Sequence, residues 1–111
     1  MDELRKMFKT LYGYNRKFSN DRRKLNRLLK KAGIEFEWHP HPVMQRNITD
    51  AAYQWTFPKF PEGDVIIGPF SFGACMGCFE SYGMPWDNQE EGYNVTALKA
   101  KELVENLTKG K

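Results

Sequence analysis

The stretch DVIIGPFSFGACMGCFESYGMPW, residues 64–86, decides the fold. Val65-Ile66-Ile67 is the longest clean apolar run and the best candidate for a central strand. No helical pattern follows it. Residues 68–86 instead hold four of the chain's nine glycines, two prolines and five aromatic rings. That composition is loop chemistry, with rigid turns and positions that need positive φ. A strand that runs into such a loop does not start a βαβ unit. The expected class is therefore α+β: an N-terminal basic helical hairpin, a small antiparallel or mixed sheet, and a C-terminal helix packed on that sheet.

The loop carries both cysteines, Cys75 and Cys78, as a CxxC pair. Two intervening residues let both sulfurs face one centre. Three chemistries use that spacing: half of a structural zinc site, a redox dithiol, or two small thiols packed as hydrophobes. The chain's two histidines, His39 and His41, stand in Trp38-His39-Pro40-His41-Pro42. The prolines favour extended backbone, in which residues i and i+2 share a face. His39, His41, Cys75 and Cys78 are thus the candidate ligands of a zinc ion, in an order that differs from the cysteine-first zinc fingers. A thioredoxin-like redox role requires a βαβ context that is missing here. Phe70, Phe72, Phe79, Tyr82 and Trp86 either close the core over the loop or form a stacking pocket for a planar ligand.

Upstream, Leu4, Met7, Phe8 and Leu11 fall at helical spacing, and Gly13 is the expected stop. Tyr14 and Phe18 would pack across the joint. Ser19-Asn20-Asp21 would cap a second helix over about 20–32, burying Leu25, Leu28 and Leu29 and ending at Gly33. Residues 1–33 hold eleven cations against three acids, a net of +8, while residues 34–111 carry −5. Arg16, Lys17, Arg22, Arg23, Lys24, Arg27, Lys30 and Lys31 make the second half of this lobe the candidate binding surface. Between residues 22 and 32 there are six cations and no acid, more than solubility requires. Such a lobe attracts nucleic acid, docks on an acidic protein surface, or lies against the protein's own acids.

Ile34 to Trp38 alternates apolar and acidic residues, as in a half-buried strand, with the His-Pro corner after it. Residues 43–48 and Ala51–Phe57 are further strand candidates. Pro61-Glu62-Gly63-Asp64 has turn chemistry. Asp87, Glu90 and Glu91 lie in an exposed acidic loop without calcium-loop spacing. Tyr93–Val95 reads as an edge strand, and Thr96 as the cap of a last helix over 97–108. Leu25, Leu28, Phe36, Trp38, Ile66 and Leu103 are the expected core.

At 111 residues the chain is one domain, large enough to bury a core without staples. One CxxC is not a secreted disulfide scaffold, no run has membrane length, and the N-terminus lacks an apolar signal core. These features point to a cytoplasmic setting. Phosphate-binding loops, dinucleotide-binding glycine sets and nucleophile elbows are missing from the sequence. The expectation is a non-enzymatic binding or regulatory module whose basic N-terminal helices contact nucleic acid. The alternatives are an inhibitor or accessory factor that grips another protein through the same lobe, and a CxxC thiol redox protein.

Overall fold

A computed structural model describes residues 2–41, 52–69, 71–87 and 95–109, with side chains from Arg16 onward except that of Cys75. The class is α+β, as the sequence implied. Helix α1 spans Asp2–Lys31, followed by β1 (Glu37–Pro40), β2 (Tyr53–Phe57), β3 (Phe60–Ile67), a short 3-10 turn (Ala74–Met76), β4 (Phe79–Tyr82), β5 (Val95–Leu98) and helix α2 (Ala100–Lys109). The described strands form one antiparallel sheet in the order β1-β2-β3-β4-β5.

The expected N-terminal hairpin is instead one continuous helix of 30 residues. A glycine in a helix interior costs about 1 kcal/mol relative to alanine, which is too little to break a helix this long. Ser19 and Asn20 do not cap a helix, because their side chains have other partners. Ser19 Oγ hydrogen-bonds Tyr53 Oη at 3.1 Å, and Asn20 Oδ1 accepts from Arg23 Nη1 at 3.3 Å. Phe18, Leu25 and Leu29 are fully buried on one face of α1.

Both helices pack on the same face of the sheet. Leu25 and Leu29 of α1 and Leu103 and Leu107 of α2 meet Tyr53, Trp55, Phe57, Val65, Ile67 and Phe79 in one core. Burying a side chain of this size contributes about 1.5–3 kcal/mol. Helix and sheet are also tied by a buried hydrogen bond, in which Trp55 Nε1 donates to Asn26 Oδ1 at 2.7 Å. Of the expected core, Leu25 and Leu103 are fully buried, and Leu28 and Phe36 are half-buried against it. Ile66 is half-buried on the opposite face of the sheet, because its neighbours Val65 and Ile67 take the inward positions. Trp38 is exposed.

Several strand boundaries differ from expectation. The first strand starts at Glu37 rather than Ile34 and includes His39 and Pro40, so the His-Pro segment is strand, not corner. The hairpin turn is Pro58-Lys59, with Phe57 opposite Phe60. The predicted turn at 61–64 is a bulge within β3. Trp55 pairs with Val65 and Phe57 with Phe60, so Thr56 alone faces Pro61–Asp64. Gly63 lets this bulge lie against the β4 end: a Cβ there would stand 2.9 Å from the Tyr82 carbonyl oxygen. At the other end of the chain, Thr96 does not cap a helix. Val95–Leu98 pairs along β4, from Phe79 opposite Leu98 to Tyr82 opposite Val95, and α2 begins only at Ala100. The expected strand at 43–48, Phe70, and the acidic-loop residues Glu90 and Glu91 lie outside the described residues, as do Tyr93 and the side chains of Leu4, Met7, Phe8, Leu11 and Tyr14.

Candidate functional site

Residues 16–31 of α1 turn two kinds of surface outward. Arg16, Arg23, Lys24, Arg27, Lys30 and Lys31 are exposed, while Lys17 and Arg22 are half-buried. Arg23, Arg27 and Lys30 follow at i, i+4 and i+7, so they form one row along the helix. Together with Arg22, Asn26 and Trp38 they line a shallow groove between α1 and the edge strand β1.

Trp38 forms the floor of that groove at its outer rim. Its Cα partner is Trp55, so its ring lies on the helix side of the sheet. Trp55 is 0% exposed and Trp38 is 41% exposed. The difference arises because, among the described residues, β1 is the edge strand, past the part of the sheet that the helix covers. The guanidinium of Arg22 lies 4.6 Å from the Trp38 ring centroid and 5.1 Å from that of Tyr53. Tyr53 also meets Trp38 edge-on, with centroids 5.9 Å apart. Cation–π contacts of this kind contribute about 0.5–2 kcal/mol. They hold the exposed indole in one orientation. Arg22 Nε is buried with no hydrogen-bond partner among the described residues, so the ring contacts are what fix this side chain.

The cations divide by role. Lys17 Nζ donates to the Ala74 carbonyl at 2.9 Å, and Lys99 Nζ donates to that of Met76. These two lysines clamp the glycine loop to the helix layer. Asp21 sits among Lys17, Lys24 and Lys99, yet burial outweighs their attraction and raises its carboxyl above the ordinary value. Its Oδ2 is buried and unpartnered among the described residues. In contrast, Arg27, Lys30 and Lys31 contact no acid of the body among the described residues, and Arg23 bonds only Asn20.

Three of the four zinc candidates have described side chains, and these three do not converge. His39 lies on the exposed β1 and projects from the face opposite the helices, beside Gln54. His41 donates its backbone N–H to the Ala52 carbonyl. Cys78 is buried just ahead of β4, its thiol 4.0 Å from the Met76 carbonyl. β2 and β3 lie between, so three strand spacings, about 14 Å, separate the histidine edge from Cys78. Among the described residues no group of three or more His, Cys, Asp or Glu side chains is placed to hold a metal. The side chain of Cys75 lies outside the described residues, so the thiol pair itself is only half described.

The loop's glycines serve packing. Gly73 and Gly77 flank the 3-10 turn at φ 79° and 73°. A Cβ on Gly73 would stand 2.7 Å from the Ala97 Cβ. The loop aromatics do not form a common pocket among the described residues. Phe79 is in the core, Trp86 packs edge-on against Phe60 at 6.1 Å, and Phe72 and Tyr82 are exposed. Ser81, Trp86 and Asp87 form a buried network. Ser81 Oγ donates to Asp87 Oδ1 at 2.8 Å and accepts from Trp86 Nε1 at 2.9 Å, while Asp87 Oδ2 accepts from the Met84 N–H at 2.9 Å. With Ser81 0% exposed, the network ties β4 to the Met84–Asp87 turn.

Sequence reasoning missed Trp38 as a surface residue. The signal was present in Pro40, since proline inside a strand marks an edge, and edge strands leave large side chains partly uncovered. No family model, curated protein or solved structure gives a match to this chain. Among the described residues no helix is long and apolar enough to cross a membrane.

Proposed function

We propose that the chain is a non-enzymatic module that binds nucleic acid through the cationic face of α1. The observation that carries this reading is the row Arg23, Arg27 and Lys30, exposed beside Arg22 and Trp38 with no acid of the body against it among the described residues. The row spans seven helical steps, about 10 Å. Like charges at helical spacing destabilise a helix by about 0.2–0.5 kcal/mol per pair. Arg23–Arg27 and Arg27–Lys31 are such pairs, so the arrangement works against helix stability. A polyanion relieves that repulsion.

The test is binding of a fluorescent oligonucleotide as a function of salt. The three cations of the row on phosphates give a slope of log K against log salt of about −2, at ~0.7 per phosphate for a single strand. The triple variant R23E/R27E/K30E is expected to abolish binding while thermal stability stays close to that of the wild type, because exposed substitutions shift stability by about 0.5 kcal/mol each. If no oligonucleotide binds in a salt-dependent way, the reading falls, and docking on an acidic protein surface replaces it. If the triple variant loses stability and keeps its partner, the row serves the fold.

A further inference from the structure

We infer that the groove between α1 and β1 takes single-stranded rather than duplex nucleic acid, with one base stacked on Trp38 and the phosphates along Arg23, Arg27 and Lys30. This rests on the nucleic-acid reading of the same face and goes beyond it. Phosphate contacts alone need only the cations. They do not account for an indole held at the rim of the same groove, 41% exposed and braced by Arg22 at 4.6 Å and Tyr53 at 5.9 Å.

Three features favour an unstacked base as the occupant. An aromatic face is reachable only by a base that is free of its own stack, so single strands use such platforms and duplexes do not. The ring is oriented before any ligand arrives, because β1 pairing and the Arg22 and Tyr53 contacts fix it, which lowers the ordering cost of binding. The platform also adjoins the cationic row: Arg22, Arg23, Arg27 and Lys30 line one groove with Trp38. A strand can then stack and neutralise its charge at once. Stacking and phosphate contacts carry little sequence information, so the expected preference among sequences is weak. The stack and the phosphate contacts are shared by RNA and DNA, so both sources enter the test.

The experiment measures affinity for dT12, rU12 and a 12-base-pair duplex at fixed salt, using wild type, W38A, W38F and the R23E/R27E/K30E triple variant. Wild type is expected to bind the single strands more tightly than the duplex. W38A is expected to lose roughly 10- to 100-fold on single strands, the range for one base–aromatic stack. Duplex binding and the salt slope should hardly change, and W38F should retain most of the affinity. Quenching of tryptophan emission on adding dT12 is the second readout, and it should vanish in W38F even if W38A folds poorly. Tighter duplex than single-strand binding, or single-strand affinity unchanged in W38A, overturns the inference while the triple variant still upholds the nucleic-acid reading. If wild type binds none of the three probes, that reading fails and this inference falls with it. A difference between dT12 and rU12 only assigns the source of the strand, through the 2′-hydroxyl, and leaves stacking on Trp38 upheld.

Discussion

Replacing Asn26 by alanine tests how firmly α1 is locked to the sheet, and hence what shapes the groove. Asn26 is 9% exposed and accepts the Trp55 indole N–H at 2.7 Å, while Trp55 itself is 0% exposed. Alanine leaves that N–H buried without an acceptor, which costs about 1–3 kcal/mol. Alanine is also the better helix former by about 0.6 kcal/mol. The net expectation is a loss of about 1–2 kcal/mol. In a domain of this size 1 kcal/mol corresponds to about 4–5 °C, so the melting temperature should fall by about 5–10 °C. Urea unfolding followed by circular dichroism is the suitable assay, because Trp55 emission would itself respond to losing its partner. W55F and the N26A/W55F double variant complete a cycle, and a favourable coupling is expected since the two groups touch. A loss below about 0.5 kcal/mol in N26A, or additivity in the double variant, would refute the claim that this bond fixes the helix. In that case the spacing of Arg23 and Arg27 from Trp38 would have to be set by apolar packing alone.

Two glycines of similar φ separate backbone strain from crowding. Gly33 (φ 70°) has open space around a built Cβ, and Gly83 (φ 71°) would place that atom 2.6 Å from the Glu62 carbonyl oxygen. G33A should therefore cost about 1–2 kcal/mol and G83A clearly more by chemical denaturation; equal losses would mean that the β3 bulge yields easily. Burial raises the Asp21 carboxyl above its ordinary value of 3.8, so the folded state holds that proton more tightly than the unfolded chain. The resulting stability is fully present below pH 3.8 and is lost as pH rises through the raised folded value. D21N should thus gain melting temperature over wild type at pH 7 and little below pH 3.8, whereas a loss at pH 7 would show that attraction to Lys17, Lys24 and Lys99 prevails.

Periodicity made much of this architecture legible. Tyr53, Trp55 and Phe57, and Leu103 and Leu107 sit where the two periods place them, whereas in β3 Val65 and Ile67 take the inward positions in place of the expected Ile66. Punctuation residues were the weaker guide. Gly13 and Ser19 to Asp21 look like a helix stop and start, yet Tyr53 takes up the Ser19 hydroxyl and the helix runs through. Pro61–Asp64 look like a turn and are a bulge, because register across two strands is not visible in one of them. Thr96 looks like a cap and is a strand residue for the same reason: its Cα partner, Ser81, is fifteen residues earlier. Of the candidate site, the cations were legible and Trp38 was not. Its alternation with Phe36 gives the correct face, but sequence does not tell how far across the sheet a helix reaches.

The charge asymmetry has a physical reading that composition alone lacks. Strand parity places Glu37, Asp64 and Glu80 on the sheet face opposite the helices, since their Cα partners are Thr56, Tyr82 and Ile66. Two of these acids already have partners there: Gln54 Nε2 donates to Asp64 Oδ2 at 2.6 Å, and the Phe72 N–H to Glu80 Oε1 at 2.8 Å. Packed layers stand about 10 Å apart, and these side chains extend away from the cationic row. The Debye length at physiological salt is about 8 Å. Interactions across the slab are therefore strongly screened, and the acids of the far face do little to neutralise Arg23, Arg27 and Lys30. The positive potential of that row is directed at solvent, where a polyanionic strand would meet it.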